Sequence, residues 1–106
     1  MANERRLYQV FKRKINKADP NCFWYKIPDT LNLGNKKPFD GFLVIKGIPF
    51  AIEFKSKDGA LTIYQGYQMT SFINAGGEAL LYIEGNETMD EFIERIKKIV
   101  KEKYDV

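Results

Sequence analysis

Pro38-Phe39-Asp40-Gly41-Phe42-Leu43-Val44-Ile45-Lys46-Gly47-Ile48-Pro49-Phe50-Ala51-Ile52-Glu53-Phe54-Lys55 is the stretch that decides the fold. Two apolar runs, 39–46 and 48–55, meet at Lys46-Gly47. Runs of that length, rich in branched and aromatic residues, read as strands, and the Lys-Gly pair reads as a tight hairpin turn. Pro49 is tolerable at a strand start or edge. Side chains alternate along a strand, so Phe50, Ile52 and Phe54 share one face while Ala51, Glu53 and Lys55 share the other. One face is wholly apolar. The other ends in a carboxylate and an ammonium.

Upstream, Leu7, Val10, Phe11 and Ile15 recur at spacings of three and four, one face of a helix from Asn3 to about Lys17. Pro20-Asn21 is a stop signal, and the aromatic segment Cys22 to Ile27 suits a strand. Pro28 to Pro38, with Gly, Asn, Pro and Lys, reads as a loop. Downstream of the hairpin, Ser56 to Ala60 is a turn. A helix capped at Thr62 or its neighbour then runs to about Ala75, ending at Gly76-Gly77. Ala79 to Glu84 is a fourth strand. Thr88 with Glu91 forms a capping box opening a last helix to about Lys103, which buries Met89, Phe92, Ile93, Ile96, Ile99 and Val100.

The expected order is therefore α-β-β-β-α-β-α. The crossover from the third strand through a helix to the fourth should be a right-handed parallel unit. The class is α/β: a mixed central sheet flanked by helices, closed by a C-terminal helix, in one domain over 1–106.

Composition narrows the chemistry. At 106 residues and 29% charged, the chain reads as one ordinary globular domain. The apolar runs fall short of a membrane span, and no charged-then-apolar leader is visible, so a cytoplasmic location is expected. Cys22 is the one cysteine, too few for an internal disulfide. There is no histidine, which excludes His-metal sites, serine–histidine triads and histidine-based nuclease chemistry together. The net charge of +3 points only weakly to nucleic acid, but Arg5, Arg6, Lys12, Arg13, Lys14 and Lys17 crowd the first helix and Lys36-Lys37 precede the hairpin. The lysines of the last helix belong to a mixed-sign, solvated face.

Hairpin pairing can bring Asp40 across from the end that carries Glu53 and Lys55. Two carboxylates and an ammonium at one sheet edge are what phosphodiester cleavage needs. Carboxylate oxygens hold Mg²⁺ alongside water and phosphate oxygens, and the ammonium orients the attacking water or meets the developing charge. A Glu-x-Lys pair alone arises by chance in most proteins. Its setting carries the signal, because a polar pair on a strand covered by helices needs a reason.

Pro38-Phe39-Asp40-Gly41-Phe42, the hairpin, and Ile52-Glu53-Phe54-Lys55-Ser56-Lys57 resemble the PD-(D/E)xK nuclease superfamily. Leu61-Thr62-Ile63-Tyr64-Gln65 and Gly76-Gly77 make the stretch from about Lys26 to Ile83 similar to VRR-Nuc type nucleases and Holliday-junction resolvases. Here Phe39 stands between the family's usual Pro and Asp. The resemblance implies a restriction-endonuclease-like core and a Mg²⁺-dependent DNA endonuclease in which Mn²⁺ can substitute. It implies Asp40 and Glu53 as metal ligands, with Glu4 on the first helix as a further candidate, and Lys55 as the catalytic lysine. Gln65 would face the site from the helix, with Gln68 as the alternative.

Lys26, Lys36, Lys37 and Lys57 are candidate DNA contacts, giving affinity without sequence information. Phe23, Trp24 and Tyr25 read as core or interface residues. Tyr64 and Tyr67 could stack on an unpaired base, though packing is the simpler account of them. A domain this small offers little surface for reading sequence, so branched or structured DNA is the expected substrate, in a repair or recombination setting. Resembling resolvases work as dimers, and the first helix and first strand could supply such an interface. Two other functions compete: a non-catalytic nucleic-acid-binding module with a nuclease-like fold, and an interaction protein whose hairpin charges have no chemical role. Metal-dependent nicking of DNA separates the first from the nuclease, and Mn²⁺ binding separates the second.

Overall fold

The computed structural model describes residues 2–28 and 37–104, with side chains from residue 4 onward. Its elements follow the expected order: α1 (Ala2–Ala18), β1 (Phe23–Lys26), β2 (Gly41–Ile45), β3 (Ile48–Lys55), α2 (Ile63–Asn74), β4 (Glu78–Ile83) and α3 (Met89–Tyr104). Most of the loop expected over 28–38 lies outside the described residues.

The hairpin closes at Lys46-Gly47, where both residues are left-handed, with φ of 51° and 80°. That pair of positive angles is what a type I′ turn requires, and its twist matches the strands it joins. From it the register runs from Ile45↔Ile48 to Gly41↔Ile52. β1 pairs antiparallel with β2 on its far side, and β4 pairs parallel with β3. The sheet is thus mixed, in the order β1-β2-β3-β4. β3 runs on past β2, so Glu53, Phe54 and Lys55 have β4 on one edge and no strand on the other. This open notch is where the candidate site forms.

Alternation along β3 sorts the layers. Phe50, Ile52 and Phe54 are fully buried in the larger core beneath α1 and α3. α1 contributes Leu7, Phe11 and Ile15, four residues apart on one face; α3 contributes Phe92, Ile96 and Val100 at the same spacing. Phe11 meets Trp24, Phe54 and Phe92 with ring centroids 4.8, 5.2 and 5.9 Å away. Tilted and edge-on contacts of this kind add to the area each ring buries. On the other face Ala51 packs with Phe39 and Met69 beneath α2. Thr62 caps α2 in a reciprocal box with Gln65, and Thr88 does the same with Glu91 for α3. Helices therefore cover the sheet on both faces. No helix among the described residues is long and apolar enough to cross a membrane.

Candidate active site

Asp40 stands one residue before β2 and is locked there by its backbone. Its N–H donates to Ile52 O at 3.0 Å, and its carbonyl accepts from Ile27 N at 2.8 Å. The next residue must be glycine: a Cβ on Gly41 would lie 2.4 Å from Trp24 Cη2 and 2.7 Å from Tyr25 O. With β2 ended, the Phe54 N–H has no strand to bond. Asp40 Oδ2 accepts it at 2.8 Å. Leaving such a buried donor unpaired would cost about 1–3 kcal/mol. Asp40 Oδ1 accepts from Tyr8 Oη at 3.0 Å and faces Lys37 Nζ at 3.1 Å.

Glu53 is 2% exposed on the α2 face of β3. Its Oε2 accepts from Gln65 Nε2 at 2.8 Å and lies 3.2 Å from Lys55 Nζ. Its Oε1 is buried with no hydrogen-bond partner among the described residues. Burial, and then the Asp40 charge, push the Glu53 carboxyl up from the usual 4.5 to about 7, against the pull of Lys55 and Lys37. Both effects disfavour a second negative charge in a dry site. Two carboxylates, each with an ammonium beside it, thus share the notch that β3 leaves open.

A cleft of about 850 Å³ opens over this notch. Asp40, Glu53, Lys55 and Gln65 line its floor, with Lys26 and Lys37 beside them and Glu4, Arg5, Tyr8 and Gln9 contributed by α1. Lys26 Nζ sits 4.5 Å from the Tyr8 ring centroid and donates to Ile27 O at 3.4 Å. Glu4 is on the cleft wall, yet no group of three acidic, cysteine or histidine side chains gathers anywhere among the described residues. Gln65, in the first turn of α2, is the glutamine that reaches Glu53; Gln68, one turn on, does not line the cleft. Lys57 is exposed beyond the end of β3, where the left-handed Asp58 turns the chain, and it too stands outside the cleft. Lys36 lies outside the described residues. Trp24 packs inward on Phe11, whereas Phe23 and Tyr25 are 59% and 49% exposed.

Tyr8 is the residue that sequence reasoning missed. It lies one position past Leu7, at the flank of the apolar stripe, and Glu4 is four residues before it on the same side of α1. That pairing was visible, but the approach of α1 to Asp40 was not. Gln65 had a clearer signal: Thr62-x-x-Gln65 is itself a capping-box pattern, which fixes where the glutamine side chain begins.

The donor set can be tested against a divalent ion. Mg²⁺ is commonly held by one or two carboxylates, with waters and substrate phosphates completing its shell. Asp40 and Glu53 supply two buried carboxylates, and Glu53 Oε1 is a buried oxygen in want of a cation or donor. The residues present therefore fit such an ion without a third protein ligand.

No family model and no curated protein matches the sequence. Among solved structures, the chain is similar to Hjc, a Holliday junction resolvase from the archaeal hyperthermophile Archaeoglobus fulgidus. The likeness covers 73% of this chain and 69% of that one, with a TM-score of 0.45 and 18% identity. So distant a likeness does not bear on the reaction, which has to be read from the site.

Proposed function

We propose that this chain is a metal-dependent DNA endonuclease that hydrolyses phosphodiester bonds in branched or otherwise structured DNA. The observation that carries the reading is the pair of buried carboxylates, Asp40 and Glu53, each beside a lysine, with one glutamate oxygen unpartnered at the floor of a basic cleft. An interaction protein has no use for such a pair, because burying two like charges together destabilises the fold.

Asp40 and Glu53 are the residues that would hold Mg²⁺ or Mn²⁺, which when bound supplies a polarised phosphate and a water of lowered pKa. The remaining roles belong to the chain. Lys55 Nζ, held at 3.2 Å from Glu53, is placed to orient a water and to meet charge developing on the phosphate. Gln65 fixes Glu53 Oε2, and Tyr8 with the Phe54 N–H fixes both oxygens of Asp40. Lys26 and Arg5, at the cleft wall, can take flanking phosphates, an interaction that positions DNA without reading its bases.

A second copy of the chain is the partner we expect. Phe23 and Tyr25 sit across from Val44 and Phe42, so all four share one face of the β1–β2 half of the sheet. Phe42 packs on Phe39 and Phe72, while Phe23 and Tyr25 are exposed, apolar surface that an isologous dimer would cover. The test of the function is cleavage of labelled duplex, flap and four-way-junction DNA with Mg²⁺ or Mn²⁺, by the native chain and by Asp40→Ala. Cleavage by the first and none by the second supports the reading. DNA binding with no cleavage of any substrate overturns it in favour of a binding module.

A further inference from the structure

We infer that Lys37 is an internal counter-cation on Asp40 which exchanges with the divalent metal, so that metal loading releases its ammonium toward the DNA phosphate. This rests on Asp40 being a metal ligand as proposed above.

A carboxylate buried as deeply as Asp40, at 3% exposure, needs its charge compensated where it lies. Three donors do so. Two are fixed in place. The Phe54 N–H belongs to β3, and the Tyr8 ring, which brings the hydroxyl, packs edge-on to Phe54 at 5.5 Å. The third, Lys37 Nζ, sits at the end of a flexible four-carbon stem, three residues before Asp40 and 18% exposed. Tyr8 and Lys37 converge on the same oxygen, Oδ1, and two donors fill the two lone pairs of a carboxylate oxygen. A divalent cation that takes Asp40 Oδ1 must therefore displace one of these donors, and the other oxygen, Oδ2, is already held by the Phe54 N–H. Like charges repel, and Lys37 is the group able to leave.

Lys55 contrasts with it. Lys55 rises from β3 two residues from Glu53, on the same face, and shares Oε2 with Gln65 while Oε1 is unpartnered. A cation on Glu53 finds Oε1 without a donor and so takes no donor's position, whereas on Asp40 both oxygens already have one. The two lysines, symmetric on paper, thus differ in function: one stays with its carboxylate and the other gives way. Released from Asp40, the Lys37 ammonium stays within the cleft that Glu4 and Glu53 also line, and a DNA phosphate entering there is a further anion for it to meet. Coupling between two ligands is reciprocal, so metal and phosphate should each favour the other through this one side chain.

The experiment is calorimetric titration of Mn²⁺ into the native chain, Lys37→Gln, Lys37→Arg, Lys26→Gln and Asp40→Asn, with thermal melting of each in chelator and in excess Mn²⁺. The expected result is Mn²⁺ affinity raised about tenfold in Lys37→Gln, within the range of ordinary coupling energies. Lys37→Arg and Lys26→Gln should stay near native, and Asp40→Asn should lose binding. Melting guards against a folding defect: Lys37→Gln should melt lower than native in chelator and gain more than native from Mn²⁺. Unchanged or weaker Mn²⁺ binding in Lys37→Gln, while Asp40→Asn still loses it, overturns the exchange but leaves the metal site standing. Binding unaffected by Asp40→Asn, or absent in the native chain, overturns both.

Discussion

Glu53→Gln should change how stability responds to pH, and the sign can be worked from the site. The Glu53 carboxyl is raised from 4.5 in an unfolded chain to about 7 in the fold, chiefly by burial and then by Asp40. Between those values the folded state binds the proton and the unfolded state does not. Stability is therefore greatest below about 4.5 with respect to this group and is lost as pH rises through about 7. At about 1.4 kcal/mol per pKa unit, the full loss comes to about 3 kcal/mol. A neutral amide of the same shape removes the proton-linked part. Urea unfolding in chelator at pH 5, 6, 7 and 8 captures most of that window and should show native stability falling relative to Glu53→Gln by about 2–3 kcal/mol across the series. Adding Mn²⁺ at pH 8 should restore the native chain and leave the variant unchanged, because a cation bound only by the folded state stabilises it. A native-minus-variant difference that is flat with pH would refute the reasoning.

Three further outcomes follow from the packing and the local geometry. Gly41→Ala drives a Cβ into Trp24 and the Tyr25 carbonyl, so it should cost about 3 kcal/mol, the upper end of ordinary overpacking, and also displace Asp40, read together by urea unfolding and Mn²⁺ titration. Phe11→Ala removes the ring at the junction of α1, β1, β3 and α3 and should cost about 3–5 kcal/mol in the same assay. Gln65→Ala removes half of the α2 capping box as well as a donor to Glu53, and should cost about 1 kcal/mol by thermal or urea melting.

Much of the architecture was legible because local rules agree with the fold. The Lys46-Gly47 turn, the alternation through Phe50–Lys55 and the four-residue spacing of Leu7, Phe11 and Ile15 each name an element and the face it buries. Period two along β3 is also what sets Glu53 and Lys55 on one face. The remainder depends on tertiary approach. Tyr8 reaches Asp40 only because α1 crosses the notch that β2 leaves, and nothing in the spacing of α1 reports where β2 stops. Lys37 read as a DNA contact from its basic neighbourhood, yet the backbone lock on Asp40 brings their charges to 3.1 Å. Glu4 is a candidate ligand only through the family resemblance, its first-turn position being what a helix dipole favours anyway; the structure puts it on the cleft wall, and no group of three acidic, cysteine or histidine side chains gathers among the described residues. Phe23 and Tyr25 read as core or interface residues, and only the place of β1 at the sheet edge shows that these two rings stay exposed while Phe42 beside them packs on Phe72 of α2.

The most direct test of the central claim is Lys55→Met, with cleavage and binding measured on the same labelled DNA in Mg²⁺. Lys55 is 15% exposed at the end of β3, and its partner Glu53 keeps Gln65, so the fold and the metal ligands should survive the change. The account predicts that DNA affinity stays within a few-fold of native while the cleavage rate falls by about 10²–10³, the cost of removing one charge-stabilising donor. Cleavage at the native rate, with Lys55 gone and DNA bound as before, would contradict it.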